Sequence, residues 1–232
     1  MANKLTVHGN IVNTFWYEKE DGSQLLLTLN YTPGHKAYDE KLIEIQGQEY
    51  RMWDPRRSKL AAAIIKKLHT IPITQSSRIL YLGAASGTTC SHISDILRNE
   101  GKIYCIEFSS RVIRELVRVC ETRTNLIPIL GDARFPHQYR MCIPEQVDLI
   151  YADVAQPDQA KIVNINAEMF LKPQGWILLC IKSRSVDVTM DPQQVYKEQI
   201  KILKESDFKI AEILYLDPFS EDHALIVAQW AK

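Results

Sequence analysis

The 232-residue chain predicts an α/β fold with a small antiparallel β module at its N-terminus. Three observations carry that expectation. Up to Pro55, short β-type runs alternate with turn residues; from Arg56 onward, apolar stretches of strand length alternate with amphipathic stretches of helix length. That alternation, with short connections, builds a largely parallel sheet covered by helices on both faces, because each parallel crossover returns the chain through a helix. The length also suits one α/β domain of ordinary size plus a smaller appendage. The expected units are residues 1–55 and 56–232.

In the first unit, Asn13 to Glu18, with Phe15, Trp16 and Tyr17, runs into Asp21-Gly22, a short-hairpin signal, and leaves along Gln24 to Asn30. Leu42 to Ile45 and Glu49 to Arg51 flank Gln46-Gly47-Gln48 as a second hairpin, and the module ends near Trp53-Asp54-Pro55. The aromatic trio is read as core of the module ahead of a docking surface. From Arg56 to His69 the pattern is helical, with Leu60, Ala61, Ile64, Ile65 and Leu68 on one side. Arg78 to Gly83 reads as a strand and Thr88 to Arg98 as a helix. Lys102 to Glu107 is the next strand, and Arg111 to Cys120 a helix with Ser109 or Ser110 as N-cap. Leu126 to Leu130 and Val147 to Ala152 are strands, Asp158 to Phe170 is a helix, and Gly175 to Ile181 is a long apolar strand. Asp191-Pro192 sets a capping carboxylate and a first-turn proline before a helix reaching about Glu205. Phe208 to Leu216 and His223 to Trp230 close the chain as a strand pair.

Composition excludes several classes. The apolar share is 46% and the charged share 24%, a mixture usual for soluble globular proteins. Met1 to Leu5 lacks the apolar core of a secretory signal, and no window approaches the roughly 18 uninterrupted apolar residues of a membrane helix. A soluble intracellular protein is expected. Cys90, Cys105, Cys120, Cys142 and Cys180 are odd in number and lack CxxC spacing, which disfavours zinc or redox chemistry. Cys105 and Cys180, inside apolar runs, are expected to be buried. His8, His35, His69, His92 and His137 show no metal-ligand spacing, so no metal is expected. The 28 basic and 28 acidic residues balance, whereas a protein that grips RNA by itself usually carries a basic excess. If RNA is the substrate, something else must bring it. Arg51, Arg56, Arg57, Lys59, Lys66 and Lys67 form a local basic cluster able to touch an RNA backbone, although a solvated helix face explains Lys66 and Lys67 equally well.

Ligands on such sheets bind beyond the carboxyl ends of the strands, so the loops after each strand hold the chemistry. The first reads Gly83-Ala84-Ala85-Ser86-Gly87-Thr88-Thr89, where glycines and small residues let the backbone approach a ligand before a helix starts. Its spacing is GxxxG and not the GxGxxG of dinucleotide binders, which favours S-adenosylmethionine over a pyrophosphate cofactor and makes an NAD-dependent oxidoreductase the weakest reading. Glu107-Phe108 ends the second strand, where the carboxylate can accept from ribose hydroxyls and the ring can lie against adenine. Gly131-Asp132-Ala133 ends the third, with the acid suited to the adenine amino group. Asp153-Val154-Ala155-Gln156 follows the fourth and Lys182 ends the fifth. Ionisable groups directly after apolar strands are hard to explain as surface decoration. Asp153 and Lys182, on neighbouring strands, are expected to face one pocket, with the carboxylate setting the lysine so that it can handle the proton of an attacking hydroxyl. A plain structural salt bridge is the bland alternative.

The chain resembles the fibrillarin family over about residues 42 to 228, through Tyr50-Arg51-Met52-Trp53-Asp54-Pro55-Arg56-Arg57-Ser58-Lys59-Leu60-Ala61, the glycine loop, Asp153 to Gln159, Ile181 to Asp187, and Asp217-Pro218-Phe219 to Asp222-His223-Ala224. The resemblance implies a seven-stranded S-adenosylmethionine-dependent methyltransferase (Rossmann-like) domain behind the small antiparallel β domain. It implies 2′-O-methylation of ribose in rRNA, with tRNA as a further target. The cofactor site would comprise Gly83, Ala84, Ser86, Gly87, Thr88, Thr89, Glu107, Phe108, Asp132, Ala133, Asp153, Val154, Ala155 and Gln156. The active centre would resemble the Lys-Asp-Lys-Glu set of ribose methyltransferases, with Lys59, Asp153 and Lys182 in the first three roles. No Glu matches the fourth, and Asp222 or His223 is the candidate substitute. The implied partners are a box C/D guide RNA that selects the site, a Nop-domain scaffold protein and a kink-turn-binding ribosomal-type protein. Eukaryotic members begin with a Gly/Arg-rich tail that is absent here, so the chain reads as archaeal in type and cytoplasmic. Methylation of a protein glutamine, or a structural cofactor-binding subunit without turnover, are the alternatives.

Overall fold

The computed structural model describes residues 3–232 and contains two sheets. The smaller comprises β1 (Lys4–Val7), β2 (Thr14–Glu18), β3 (Gln24–Leu29), β4 (Leu42–Ile45) and β5 (Gln48–Met52), antiparallel throughout in the order β1-β2-β3-β5-β4. Both expected hairpins form. Gln46 and Gly47 take φ of 53° and 74°, the pair of left-handed residues that a two-residue type I′ turn needs. β1 was not anticipated, because it is a mostly exposed edge strand whose alternation, Leu5 and Val7, is too short to carry a signal. Phe15, Trp16 and Tyr17 are half-buried, with Trp16 packed against the core and Phe15 edge-on to Tyr50 at 5.1 Å.

The larger sheet has seven strands in the order β11-β12-β10-β9-β6-β7-β8, formed by β6 (Arg78–Leu82), β7 (Lys102–Glu107), β8 (Leu126–Leu130), β9 (Val147–Ala152), β10 (Leu171–Lys182), β11 (Phe208–Tyr215) and β12 (His223–Trp230). β10, β9, β6, β7 and β8 pair in parallel; β12 runs antiparallel between β10 and β11. Alternation along β6 shows both faces buried. Ile79 and Tyr81 join one core with α1 (Lys59–Ile65), α2 (Thr88–Leu97) and α3 (Ile113–Thr122). Leu80 and Leu82 join the other with α4 (Gln159–Phe170) and α6 (Pro192–Glu205).

Two elements differ widely from their expected limits, and one short helix is new. α1 is shorter than residues 56–69: Ser58 caps it by accepting from Ala61 N–H at 3.3 Å, and Lys67 ends the turn with φ of 67°. β10 begins at Leu171, continuing across Lys172-Pro173-Gln174 through a break in register between Leu171 and Trp176. A short helix, α5 (Ser183–Val186), follows Lys182 directly. Ser109 does accept from Val112 N–H at 3.3 Å, one residue before α3.

The two sheets are locked together by buried charge. Asp95 on α2 accepts from Arg51 Nη1 (2.7 Å), Thr28 Oγ1 (2.7 Å), Arg123 Nη1 (2.6 Å) and Tyr31 N (3.0 Å), so both carboxylate oxygens are fully used. Arg51 also donates to Glu40 at 2.7 Å and to Ser91 at 2.8 Å. Arg51 is therefore wholly buried and unavailable to RNA, which corrects its place in the expected basic cluster. His92 lies beside Asp95, stacked on Trp53 at 4.9 Å. Thr28 gives its proton to Asp95, so its oxygen accepts from His92 Nδ1–H (2.8 Å), and Nε2 is left to accept from Tyr38 O–H (2.7 Å).

Candidate active site

The carboxyl ends of β6 to β9 surround a cavity of about 170 Å³ lined by Gly83, Ala85, Ile106, Glu107, Phe108, Gly131, Ala133 and Asp153 to Gln156. Its floor is set by backbone. Gly83 turns with φ of 80°, and a Cβ on it would stand 2.4 Å from the Asp153 carbonyl oxygen, so only glycine closes this approach. The Glu107 carboxylate is held from two sides, by Ala85 N–H on Oε2 (3.0 Å) and Ser109 N–H on Oε1 (2.8 Å). A buried carboxylate fixed this way retains lone pairs for two neighbouring hydroxyls. Phe108 is 65% exposed beside it, an aromatic face open to a planar group. Gln156 Oε1 is buried with no partner among the described residues, so this wall offers an acceptor to a ligand donor. An adenosine fits this donor and acceptor set.

Not every expected residue lines the cavity. Thr89 Oγ1 is turned away to donate to Ser58 Oγ at 3.0 Å, and Gly87 is pressed against α3, where a Cβ would meet Leu116 at 2.9 Å. Ser86 faces a separate cleft with Arg57 and Arg118. Ala84 is buried and Thr88 uses its carbonyl to accept from Ser91 Oγ. The Asp132 carboxylate is taken by Arg134, with Nη2–Oδ2 at 2.6 Å, and the cavity is lined by its neighbours Gly131 and Ala133. Ala85, Ile106 and Gly131 were missed; they contribute backbone and apolar wall, for which a sequence carries no distinctive signal.

Beside the cavity, Lys59 Nζ donates to Asp153 Oδ2 at 2.8 Å, each side chain 24% exposed. This corrects the expected partnership: Asp153 holds Lys59, and its carboxylate forms no ion pair with Lys182 among the described residues. Burial alone would push the Lys59 ammonium down, but the Asp153 carboxylate outweighs it and holds Lys59 above the ordinary lysine range. Lys59 opens α1, and Thr89 ties its capping Ser58 to α2. Below the pair, Tyr81 stacks on Tyr151 at 4.5 Å, and Tyr151 Oη meets Cys180 Sγ at 3.2 Å. Burial pushes the Cys180 thiol up to about 12, so this layer is neutral.

Lys182, at the end of β10, is exposed and stands opposite His223 of β12. Burial, reinforced by the neighbouring lysines, pushes the His223 imidazole below its usual range, although its bond to the Glu221 carbonyl acts in the opposite sense. Nδ1 lies 2.6 Å from that carbonyl and must donate to it, which leaves Nε2 as an acceptor. Asp222 is otherwise engaged. Its carboxylate accepts from Arg184 Nε at 2.8 Å and its carbonyl from Ser183, while His223, the other candidate for the fourth role, feels Lys59, Asp153 and Lys182.

A family model described as fibrillarin matches residues 5–232. The fibrillarin-like rRNA/tRNA 2′-O-methyltransferase of Methanopyrus kandleri is 48% identical over 223 residues, 96% of each chain. The structure of Aeropyrum pernix fibrillarin with natively bound S-adenosyl-L-methionine superposes with a TM-score of 0.91 at 49% identity, covering 97% of each chain. A chain of a fibrillarin/Nop5p complex aligns with a TM-score of 0.83 at 42% identity, covering 93% of this chain and 96% of that one.

Proposed function

Because the chain belongs to the fibrillarin family, we propose that it is the S-adenosylmethionine-dependent enzyme that methylates ribose 2′-oxygens of rRNA and tRNA. In the finer form of this reading it is an archaeal-type, cytoplasmic catalytic subunit. A box C/D guide RNA selects the nucleotide, and a Nop-domain scaffold and a kink-turn-binding protein complete the particle. The relative solved with Nop5p supports the scaffold. The observation that carries the chemistry is the Lys59–Asp153 pair beside a cavity suited to adenosine.

S-adenosylmethionine supplies an electrophilic methyl group on sulfur. Glu107 receives the ribose hydroxyls, Phe108 the adenine face, and Gln156 Oε1 a ligand donor. Asp132 is a candidate for the adenine amino group only in so far as Arg134 leaves it a lone pair. Gly83 to Thr89 shape the turn around the ligand. Asp153 favours the protonated form of Lys59, which suits it to stand as a fixed cation toward the developing alkoxide. Lys182 carries no carboxylate partner among the described residues to hold its proton in place, so it can pass that proton to solvent and, as the free amine, take the one from the 2′-hydroxyl. His223 offers an acceptor at Nε2 to orient the target ribose.

The test is transfer of label from S-adenosylmethionine to a target RNA in the assembled particle, with and without guide and partners, beside Lys182→Ala and Asp153→Ala. Label on one guide-selected 2′-oxygen, lost in both variants, is the expected result. Label on protein glutamine, or transfer indifferent to both substitutions, overturns the reading.

A further inference from the structure

β9 ends at Ala152, its last residue paired with β10 at Leu179, and the chain from Asp153 to Gln156 goes on to wall the cofactor cavity. Beyond Leu179, that edge of β10 has lost its neighbouring strand. Lys182 ends β10 with its own N–H and C=O facing this gap, while the next residue, Ser183, turns to β12 by donating to the Asp222 carbonyl. A buried backbone pair without partners is costly, and the lysine would gain freedom to shift.

One side chain fills the gap. Gln159, the first residue of α4 and fully buried, accepts from Lys182 N–H through Oε1 at 3.2 Å and donates to the Lys182 carbonyl through Nε2 at 3.4 Å. A primary amide presents the same donor and acceptor as a strand peptide, so Gln159 takes the place of the missing β9 residue. α4 does not depend on this contact for its own anchorage, since Ala160 N–H is separately bound by the buried Gln199 side chain at 2.9 Å.

We propose that Gln159 is a positioning residue for the methyl transfer, fixing the Lys182 peptide so that its amine meets the target hydroxyl. The proposal rests on Lys182 being the proton-handling group. Only a side chain with both a donor and an acceptor at this reach does the work: leucine supplies neither, asparagine falls one methylene short, and an ionised glutamate sets a second acceptor against the Lys182 carbonyl. Protonated glutamic acid restores the pair.

The test uses the assembled particle with guide and target RNA and measures single-turnover methylation, cofactor affinity and melting temperature. Gln159→Leu is expected to lower the methylation rate on the order of 100-fold, as a displacement of about 1 Å in a reacting group does. Its cofactor affinity should stay within about twofold of wild type. In a Lys182→Ala background, Gln159→Leu should add almost nothing, because the two act as one unit. For Gln159→Glu, the rate relative to wild type should climb as pH falls and the new carboxyl takes a proton; this second variant also serves if Gln159→Leu melts too low to assay. A wild-type rate in Gln159→Leu, a full additional loss on top of Lys182→Ala, or a flat pH ratio for Gln159→Glu would overturn the proposal. If Lys182→Ala itself retains full rate, the assignment of Lys182 fails and the positioning role falls with it; if Lys182→Ala is dead and Gln159→Leu is not, only the positioning role fails.

Discussion

At Gly83 two constraints coincide: φ of 80°, which side chains other than glycine rarely adopt, and a Cβ position 2.4 Å from the Asp153 carbonyl. Gly83→Ala must therefore push apart the loops that carry Glu107's partner Ala85 and Asp153. It is expected to cost about 1–3 kcal/mol of stability and to weaken cofactor binding, read by thermal melting and calorimetry. Unchanged affinity in a folded variant would mean that the close approach does not shape the site. Lys59 and Asp153 should behave as a unit. Lys59→Met and Asp153→Asn are each expected to slow methylation, and the double variant should be little worse than the worse single one, because either change already removes the 2.8 Å pair. Rates that multiply would show two independent roles. The glycine loop was legible because a strand-to-helix turn imposes its residue types locally. The Lys59–Asp153 pairing was not, since its partners stand 94 residues apart and nothing in the sequence ranks Lys59 above Lys182 as the carboxylate's neighbour. Gln159 was invisible for the same reason: its role exists only because a strand from elsewhere ends early.

Elements with a strong apolar period were read closely; Lys102–Glu107, Leu126–Leu130, Val147–Ala152 and His223–Trp230 carry the limits expected of them. α2 was found but half understood. A pattern reading counts apolar positions, yet this helix turns fully buried Ser91, His92, Ser94 and Asp95 to its surroundings, and those residues meet partners from the N-terminal sheet and Arg123. Replacing Asp95 by Ala leaves buried Arg123 without its carboxylate and Arg51 with Glu40 alone. Removal of one partner from such a group costs about 3–5 kcal/mol, which for a chain of this size lowers the melting temperature by roughly 6–20 °C. A drop within error would show that the network is not what joins the sheets. His92 adds a pH dependence. Burial pushes its imidazole well below the usual histidine value of about 6.5, helped by Arg51 and Arg123, so below that value the unfolded chain binds a proton that the folded one refuses. The stability due to neutral His92 is present above pH 6.5 and is lost as pH falls toward its lowered folded value. Melting temperature should thus decline on acidification below about 6.5, and His92→Gln should flatten that decline.

For the whole molecule, 28 basic residues against 28 acidic ones overstate the positive charge available to RNA. Arg51 and Arg123 are buried with Asp95, Arg134 and Arg184 are closed on Asp132 and Asp222, and Arg57 pairs with Asp39 at 2.9 Å. Near the active centre Arg56 and Lys182, with Arg118 in the cleft beside Ser86, are exposed cations outside any ion pair among the described residues. Few phosphates can be neutralised at once, so the counterion release that drives nucleic-acid affinity is small. The isolated chain is expected to bind a single-stranded target no tighter than about 10⁻⁶ M at physiological salt, the range of non-specific association. Each neutralised phosphate contributes about −0.7 to the slope of log K against log salt, so one or two contacts predict a slope near −1. Fluorescence anisotropy over a salt series measures both quantities. A tight, steeply salt-dependent complex would mean that this chain holds its substrate through a surface the charge distribution does not reveal, and the need for a guide and scaffold would lose its physical basis. A weak, shallow one leaves the division of labour intact: affinity comes from the partners, and the enzyme keeps its cations for the reacting hydroxyl, where a protonated Lys59 and an unpaired Lys182 do work that a general basic surface would blur.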